Sequence, residues 1–397
     1  MNPSSAGWIN KFGHIIKERD ALYKDFGDLY QQLLHHGFVY GIHLYTPNFI
    51  KTEHQFTEDE IAKVNLLNGL YHTFRFEKGE NVFTDFVETV FQYYKELEVG
   101  KVSFLNKILT GSKTESQLEK LLESRIYLNG NAFSKAFGNS LTNSLLYVDL
   151  LIFKHYLRGN HNLIRHAHEL EYVTINIAYQ ALNAKEGKAE DDKLTQLLAA
   201  SLSYVDINTT EFDGTYMDLL KQNFDDFEKD YLMDIACLTV WEDNTLDYTE
   251  SDYVFGIGKA LGKSEKEVQK ALENVRLFFS KNFEKIPYLK DTNLALKFYD
   301  GMTKNVSKLI LRNSKRLKKE LSESKELMQL LAKSTTKELN AEERKKIQSQ
   351  LIDIFKSIPS LAIFMLPGGA ILLPIFIKLI PTLLPSAFDD NRIEEKK

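Results

Sequence analysis

Seven cations, Lys304, Lys308, Arg312, Lys315, Arg316, Lys318 and Lys319, lie between Gly301 and Lys319 without one acid among them. Such a run suits anionic lipid headgroups, at about 1 kcal/mol per cation near a membrane surface, or the phosphates of RNA. A plain solvated helix face uses the same residue types, and acids resume at Glu320. A second grouping is acidic: Asp206, then Asp243, Asp247 and Glu250, offering hard oxygen donors of the kind calcium or magnesium takes. The same residues are ordinary helix caps and turn formers. A third is His161, His166 and His168 with Glu169 and Glu171, a density of imidazole and carboxylate that could hold zinc. His166 and His168 are two apart and point away from each other on a helix, so surface or partly buried histidines are the expectation. No GxSxG, Walker-A loop, GxGxxG or HExxH occurs, and Gly256-Ile257-Gly258 runs into Ala260 and Leu261 without a third glycine. No enzyme is expected, and no cofactor other than calcium or magnesium at the acids.

These residues must be positioned by helices, because strand patterns are nearly absent and the expected fold is all-α. The 397 residues, 43% of them hydrophobic, can fill real cores. Net charge is -5, from 50 basic and 55 acidic residues, which argues against a dedicated DNA binder and makes local charge matter more than the total. The single cysteine, Cys237, excludes an internal disulfide and fits a reducing compartment. The first twenty residues lack an apolar stretch, being interrupted by Lys11, Lys17, Glu18, Arg19 and Asp20, so no export signal is read there.

Breaks fall at Pro47, Gly100, Gly111-Ser112 and Gly159-Asn160. Thr57-Glu58-Asp59-Glu60 reads as a capping box ahead of Ile61, Val64, Leu66, Leu67 and Leu70 at helical spacing. Ser264 with Glu267, and Asn340 with Glu343, start two more helices in the same way. The polar run from Asn183 to Asp192 is the best linker, giving an N-terminal domain at 1–190, a middle domain at 191–290 and a C-terminal region at 300–390. Within the middle domain Ala200, Leu202, Ser203, Asp206, Asn208 and Thr209 are echoed 36 residues later by Ala236, Leu238, Thr239, Glu242, Asn244 and Thr245. From Met302 to about Leu331 one long amphipathic helix is expected, with Val306, Leu309, Ile310, Leu317, Leu321, Met328 and Leu331 on one face.

The 21 uncharged residues from Ser357 to Ile377, between Lys356 and Lys378, match the roughly 20 that a membrane-spanning helix needs. Five of the eight prolines, Pro359, Pro367, Pro374, Pro381 and Pro385, fall here, and membrane helices tolerate proline better than soluble ones. Pro367-Gly368-Gly369 divides the stretch into two apolar arms. A kinked span, a re-entrant hairpin and a buried or peripheral element all fit. Arg344, Lys345, Lys346 and Lys356 ahead of it would keep the N-terminal bulk on the cytoplasmic side of the membrane.

Leu372-Leu373-Pro374, Lys378-Leu379-Ile380-Pro381 and Leu384-Pro385-Ser386-Ala387-Phe388 resemble the LLP, KLxP and LPSxF signature of the LETM family, leucine-zipper, EF-hand-containing transmembrane proteins and their bacterial relatives. The resemblance extends upstream through Leu331, Glu342, Arg344, Asp353 and Pro359, over about residues 304–388. It implies a membrane-associated adaptor, with membrane lipids and the ribosome as partners, and links to cation homeostasis and, among bacterial relatives, to biofilm formation. Ion exchange would require a homo-oligomer, because one broken helix per chain encloses no pathway. Many relatives carry Glu where this chain has Ala370, which removes an acid that proton coupling would use. No EF-hand is expected: Glu211 and Met217 stand where that loop requires Gly and Glu. More weakly, Glu242 to Glu250 resembles the acidic turn of tellurite-resistance B-like helical domains, over about 193–280. That likeness implies a different role, a metal- or stress-responsive binding module using the acidic turns at 200–250.

Overall fold

The computed structural model describes all residues except 18, 20–21, 52–54, 80–81, 98–113, 127–136, 160–161, 185–191, 203–215, 223, 242–247, 287–301, 304–305, 336, 338, 359–360, 362–363, 365–368 and 386–397; for 124, 137–145, 182–184, 192–195, 222, 248–250 and 369 the backbone alone is described. Among the described residues there are helices and no strand. In chain order they are α1 (Trp8–Lys17), α2 (Phe26–His35), α3 (Glu58–Lys78), α4 (Phe83–Glu96), α5 (Thr114–Ile126), α6 (Phe137–Leu157), α7 (Leu163–Ala184), α8 (Asp192–Leu202), α9 (Tyr216–Gln222), α10 (Asp226–Val240), α11 (Tyr248–Ala260), α12 (Glu265–Asn282), α13 (Ser314–Ser322), α14 (Lys325–Ser334), α15 (Ala341–Ser357) and α16 (Gly369–Leu383).

Several helix starts follow from local chemistry. Thr57, Ser264 and Asn340 each accept a bond from the backbone N–H three residues on, while Glu60, Glu267 and Glu343 reach back to the cap, as expected. Asp225 and Glu228 form a fourth such box at α10. Helix α3 ends on Gly79 in the left-handed conformation.

Helix α3 carries no charged residue from Val64 to Phe74, and its one cation within the buried stretch, Lys63, pairs with Glu123, so it sits inside. It packs on α2, α4, α5 and α6. Its closest approach is to α6 at Gly69, where a Cβ would run into the Leu150 side chain. Helices α4, α5 and α6 are tied by a buried ionic group: Arg125 donates to Asp149 at 2.9 and 3.1 Å, the Tyr94 hydroxyl donates to the same carboxylate at 2.9 Å, and the Tyr93 hydroxyl to the Asp149 carbonyl at 2.8 Å. Every member has its partner, which is what makes burial of those charges tolerable. Helix α7 then packs on α8, α9, α10 and α11, and α10 on α11 and α12. The 36–45 segment meets α12 through Tyr40 against Phe278 and a 2.5 Å bond from the Tyr45 hydroxyl to Asn282.

The expected single helix from Met302 to Leu331 is broken. A helical stretch at 306–312 gives way at Asn313, whose side-chain amide donates to the Leu309 carbonyl at 2.7 Å, and α13 follows; a second break comes before Ser324, which caps α14 through the Leu327 N–H. Local side-chain bonds to the backbone compete here with continued helix. The seven apolar residues read onto one face are all buried.

Of residues 357–377, which fit a span, a hairpin or a buried or peripheral element, 359–360, 362–363 and 365–368 lie outside the described residues. Among the described residues no helix is long and apolar enough to cross a membrane. Helix α15 ends at Ser357 and α16 begins at Gly369. The 15 residues of α16 rise about 22 Å, short of a hydrocarbon core of about 30 Å. Phe355, Phe364 and Phe376 stack with centroids 4.8–5.1 Å apart, closing α15 onto α16. Ile371, Leu372, Leu373, Ile375, Phe376, Ile377 and Ile380 are buried, and α16 packs on α8 and α14. Pro374 and Pro381 sit inside α16 two turns apart, which puts both missing N–H groups on nearly the same side of the helix.

Candidate anion-binding face and C-terminal unit

The apolar residues of 306–321 set the direction of the cations. Val306, Leu309, Ile310, Leu317 and Leu321 are buried, so the residues between them turn outward. Lys308, Arg312, Lys315, Arg316, Lys318 and Lys319 are all exposed; Lys304 lies outside the described residues. Lys308, Lys315, Arg316, Lys318 and Lys319 make no ion pair with a described carboxylate. Leu311, 53% exposed, stands among them.

This face is coupled to the C-terminal helices by packing. Helix α13 packs on α14, and α14 on α15 and α16. Two ion pairs join α14 to α15, Lys346 with Glu326 at 2.8 Å and Lys333 with Glu343 at 2.5 Å, and Ser324 donates to Gln350 at 2.7 Å. The hydrogen bond and charge of Lys333 hold the Glu343 carboxyl below its usual range. Exposed pairs of this kind add little stability.

Of the signature residues, Leu372 and Leu373 are buried, Leu379 is half-buried, Leu384 is buried, and Lys378 and Pro385 are exposed. Gly369 opens α16. Pro359, Pro367, Gly368, Ser386 and Phe388 lie outside the described residues. The signature therefore builds the inner surface of α16 more than it builds a surface site. Asp206, Asp243 and Asp247 likewise lie outside the described residues, and the Glu250 side chain is not described.

The histidine reading changes. His166 is buried on α7, and its Nε2 stands 2.7 Å from Glu228 Oε1 of α10. Its ring stacks on His155 of α6, centroids 4.1 Å apart. Glu169 instead pairs with Arg165 at 2.9 Å. His155 and Glu228 were missed by sequence reasoning. A signal existed: His155 and His166 flank the turn at Gly159 between two long helices, and Glu228 sits at the third position of a capping box.

Residues 339–397 match the family described as LETM1-like, RBD. No curated protein and no solved structure matches the chain. The match begins at Leu339, so the cations at 304–319 precede it in sequence, and α13, which carries Lys315 to Lys319, is joined to it through α14. The resemblance carried by the prolines thus stands, and the C-terminal region formed by α15 and α16 is LETM1-like.

Proposed function

We propose that this protein is a LETM1-like adaptor whose C-terminal unit docks on the ribosome by binding RNA phosphates. In this reading residues 1–190 and 191–290 form a helical body, and 300–390 the docking unit. The observation that supports it is the outward row Lys308, Arg312, Lys315, Arg316, Lys318 and Lys319 above a buried apolar row, packed next to a region that matches a LETM1-like RBD. Cations fixed on one side of short, packed helices present charge at a set spacing and lose little freedom on binding. Phosphate contact of this kind positions a partner without reading sequence. Membrane association, which the family implies, would then be peripheral, with the N-terminal bulk on the cytoplasmic side. The family's links to cation homeostasis and to biofilm-related envelope work would follow from what the adaptor holds in place.

A second reading rests on Leu311. An exposed leucine ringed by cations also suits an anionic lipid surface, where the apolar side chain enters the headgroup region. Pelleting with 70S ribosomes and flotation with anionic vesicles separate the two. In the ribosome reading the full chain pellets with ribosomes, the Lys315→Glu/Arg316→Glu/Lys318→Glu/Lys319→Glu variant stays in the supernatant, and Leu311→Ser behaves as wild type. Flotation with vesicles that Leu311→Ser abolishes, without ribosome pelleting, would replace it by the lipid reading.

A further inference from the structure

We infer that His155, His166 and Glu228 form a binding site for a transition-metal ion of the zinc type. Their ligand atoms, one from each of α6, α7 and α10, all lie within 4.8 Å of one another. These residues are separated by up to 73 positions in the chain, so only folding brings them together.

Two of the three ligands face each other directly. His166 is buried and faces Glu228 Oε1 at 2.7 Å, while the other Glu228 oxygen accepts the Asp225 N–H at 2.7 Å. That second bond fixes the carboxylate in the way a supporting partner orients a metal ligand. His155 is half-buried and is the ligand that must move. Its ring lies nearly parallel to that of His166, 12° between planes. The lone pairs of two parallel imidazoles cannot meet at one point, so metal entry turns the His155 ring. Bonds of about 2.0–2.1 Å hold neighbouring ligand atoms roughly 3.4 Å apart, so as the ion enters His166 Nε2 and Glu228 Oε1 part from 2.7 Å, the proton of their hydrogen bond leaves to solvent, and the turn of His155 brings its nitrogen nearer.

The surroundings favour an ion at this point. The nearby cations are engaged elsewhere: Lys154 pairs with Asp225, and Arg158 with Glu77 at 2.8 Å. Two nitrogens and one carboxylate oxygen suit zinc, and also cobalt, nickel or copper, whereas calcium and magnesium prefer oxygen alone. Three protein ligands leave a fourth position for water. Bound there, the ion would pin the start of α10 to the α6–α7 turn.

The test uses the full chain, stripped with chelator and titrated with zinc by calorimetry, and with cobalt by visible absorption. One equivalent of zinc is expected, with a rise in Tm and a cobalt band of tetrahedral intensity. His155→Ala, at a half-exposed position, should keep the apo helicity and Tm. It should weaken zinc binding by at least the 10- to 100-fold typical of losing a metal-supporting group. Glu228→Gln should weaken it likewise, and if that change to the capping box unfolds the chain, His155→Ala decides alone. Zinc affinity equal in wild type and His155→Ala, or no binding at micromolar zinc, would overturn the proposal. Magnesium and calcium should leave Tm unchanged, and a Tm rise with either would overturn the assignment to the zinc class.

Discussion

Asp234 is a buried carboxyl that the hydroxyl of Tyr30 reaches by hydrogen bond, with the hydroxyls of Tyr40 and Tyr147 buried and without partners among the described residues. Burial above all pushes its pKa up to about 7, against the Tyr30 bond, which lowers it, and with Asp230 adding to the rise. A raised carboxyl contributes stability that is fully present below the unfolded value of about 3.9 and lost as pH climbs to about 7. Asp234→Asn keeps an acceptor for Tyr30 but cannot ionise. Its stability relative to wild type should therefore improve between pH 4 and 8, by about 4 kcal/mol as an upper bound. Urea unfolding at the two ends of that range measures this, and a difference independent of pH would show that Asp234 stays ionised in the folded chain. Residues of this kind are hard to read in a sequence, because Asp234 looks like any acid on the polar side of a helix until Tyr30, 204 positions away, is seen to meet it. His155 and Glu228 escaped for the same reason. The outward placement of the cations at 308–319 was legible because it depends on local spacing alone.

At the scale of elements, Gly69 sets how closely α3 and α6 can pack. Gly69→Ala would gain helix propensity of about 1 kcal/mol but press a methyl group into Leu150 on the facing helix. Overpacking typically costs 1–3 kcal/mol, so a net loss of roughly 1 kcal/mol is expected. A lowered urea midpoint with unchanged slope would agree, and a raised midpoint would mean that α6 yields at no cost. The helix starts at Thr57, Ser264 and Asn340 were legible because a capping box is written in four consecutive residues. The breaks at Asn313 and Ser324 were not: the buried residues on either side keep the same face, so hydrophobic period gives no warning, and the Asn313 bond to Leu309 decides the matter. Apolar composition between Ser357 and Ile377 did not distinguish a span from an internal element, since both hide the same side chains from water. The 15-residue length of α16 and the packing of its Phe376 against Phe355 and Phe364 are features that no sequence pattern announces.

For the whole molecule, a chain with net charge -5 presents a local cationic face beside a LETM1-like region folded onto its own body. Overall charge would repel RNA at long range, so the proposed ribosome binding would come from short-range contacts and respond steeply to salt. The most direct test is the affinity of the purified full chain for ribosomes, measured between about 50 and 200 mM potassium chloride. Each phosphate neutralised should contribute a slope of about -0.7 to -0.9 in log affinity against log salt. Replacing Lys315, Arg316, Lys318 and Lys319 by alanine is predicted to weaken binding and flatten that slope by about 3 units. An alanine variant that binds ribosomes with the wild-type affinity and the wild-type slope would contradict the account.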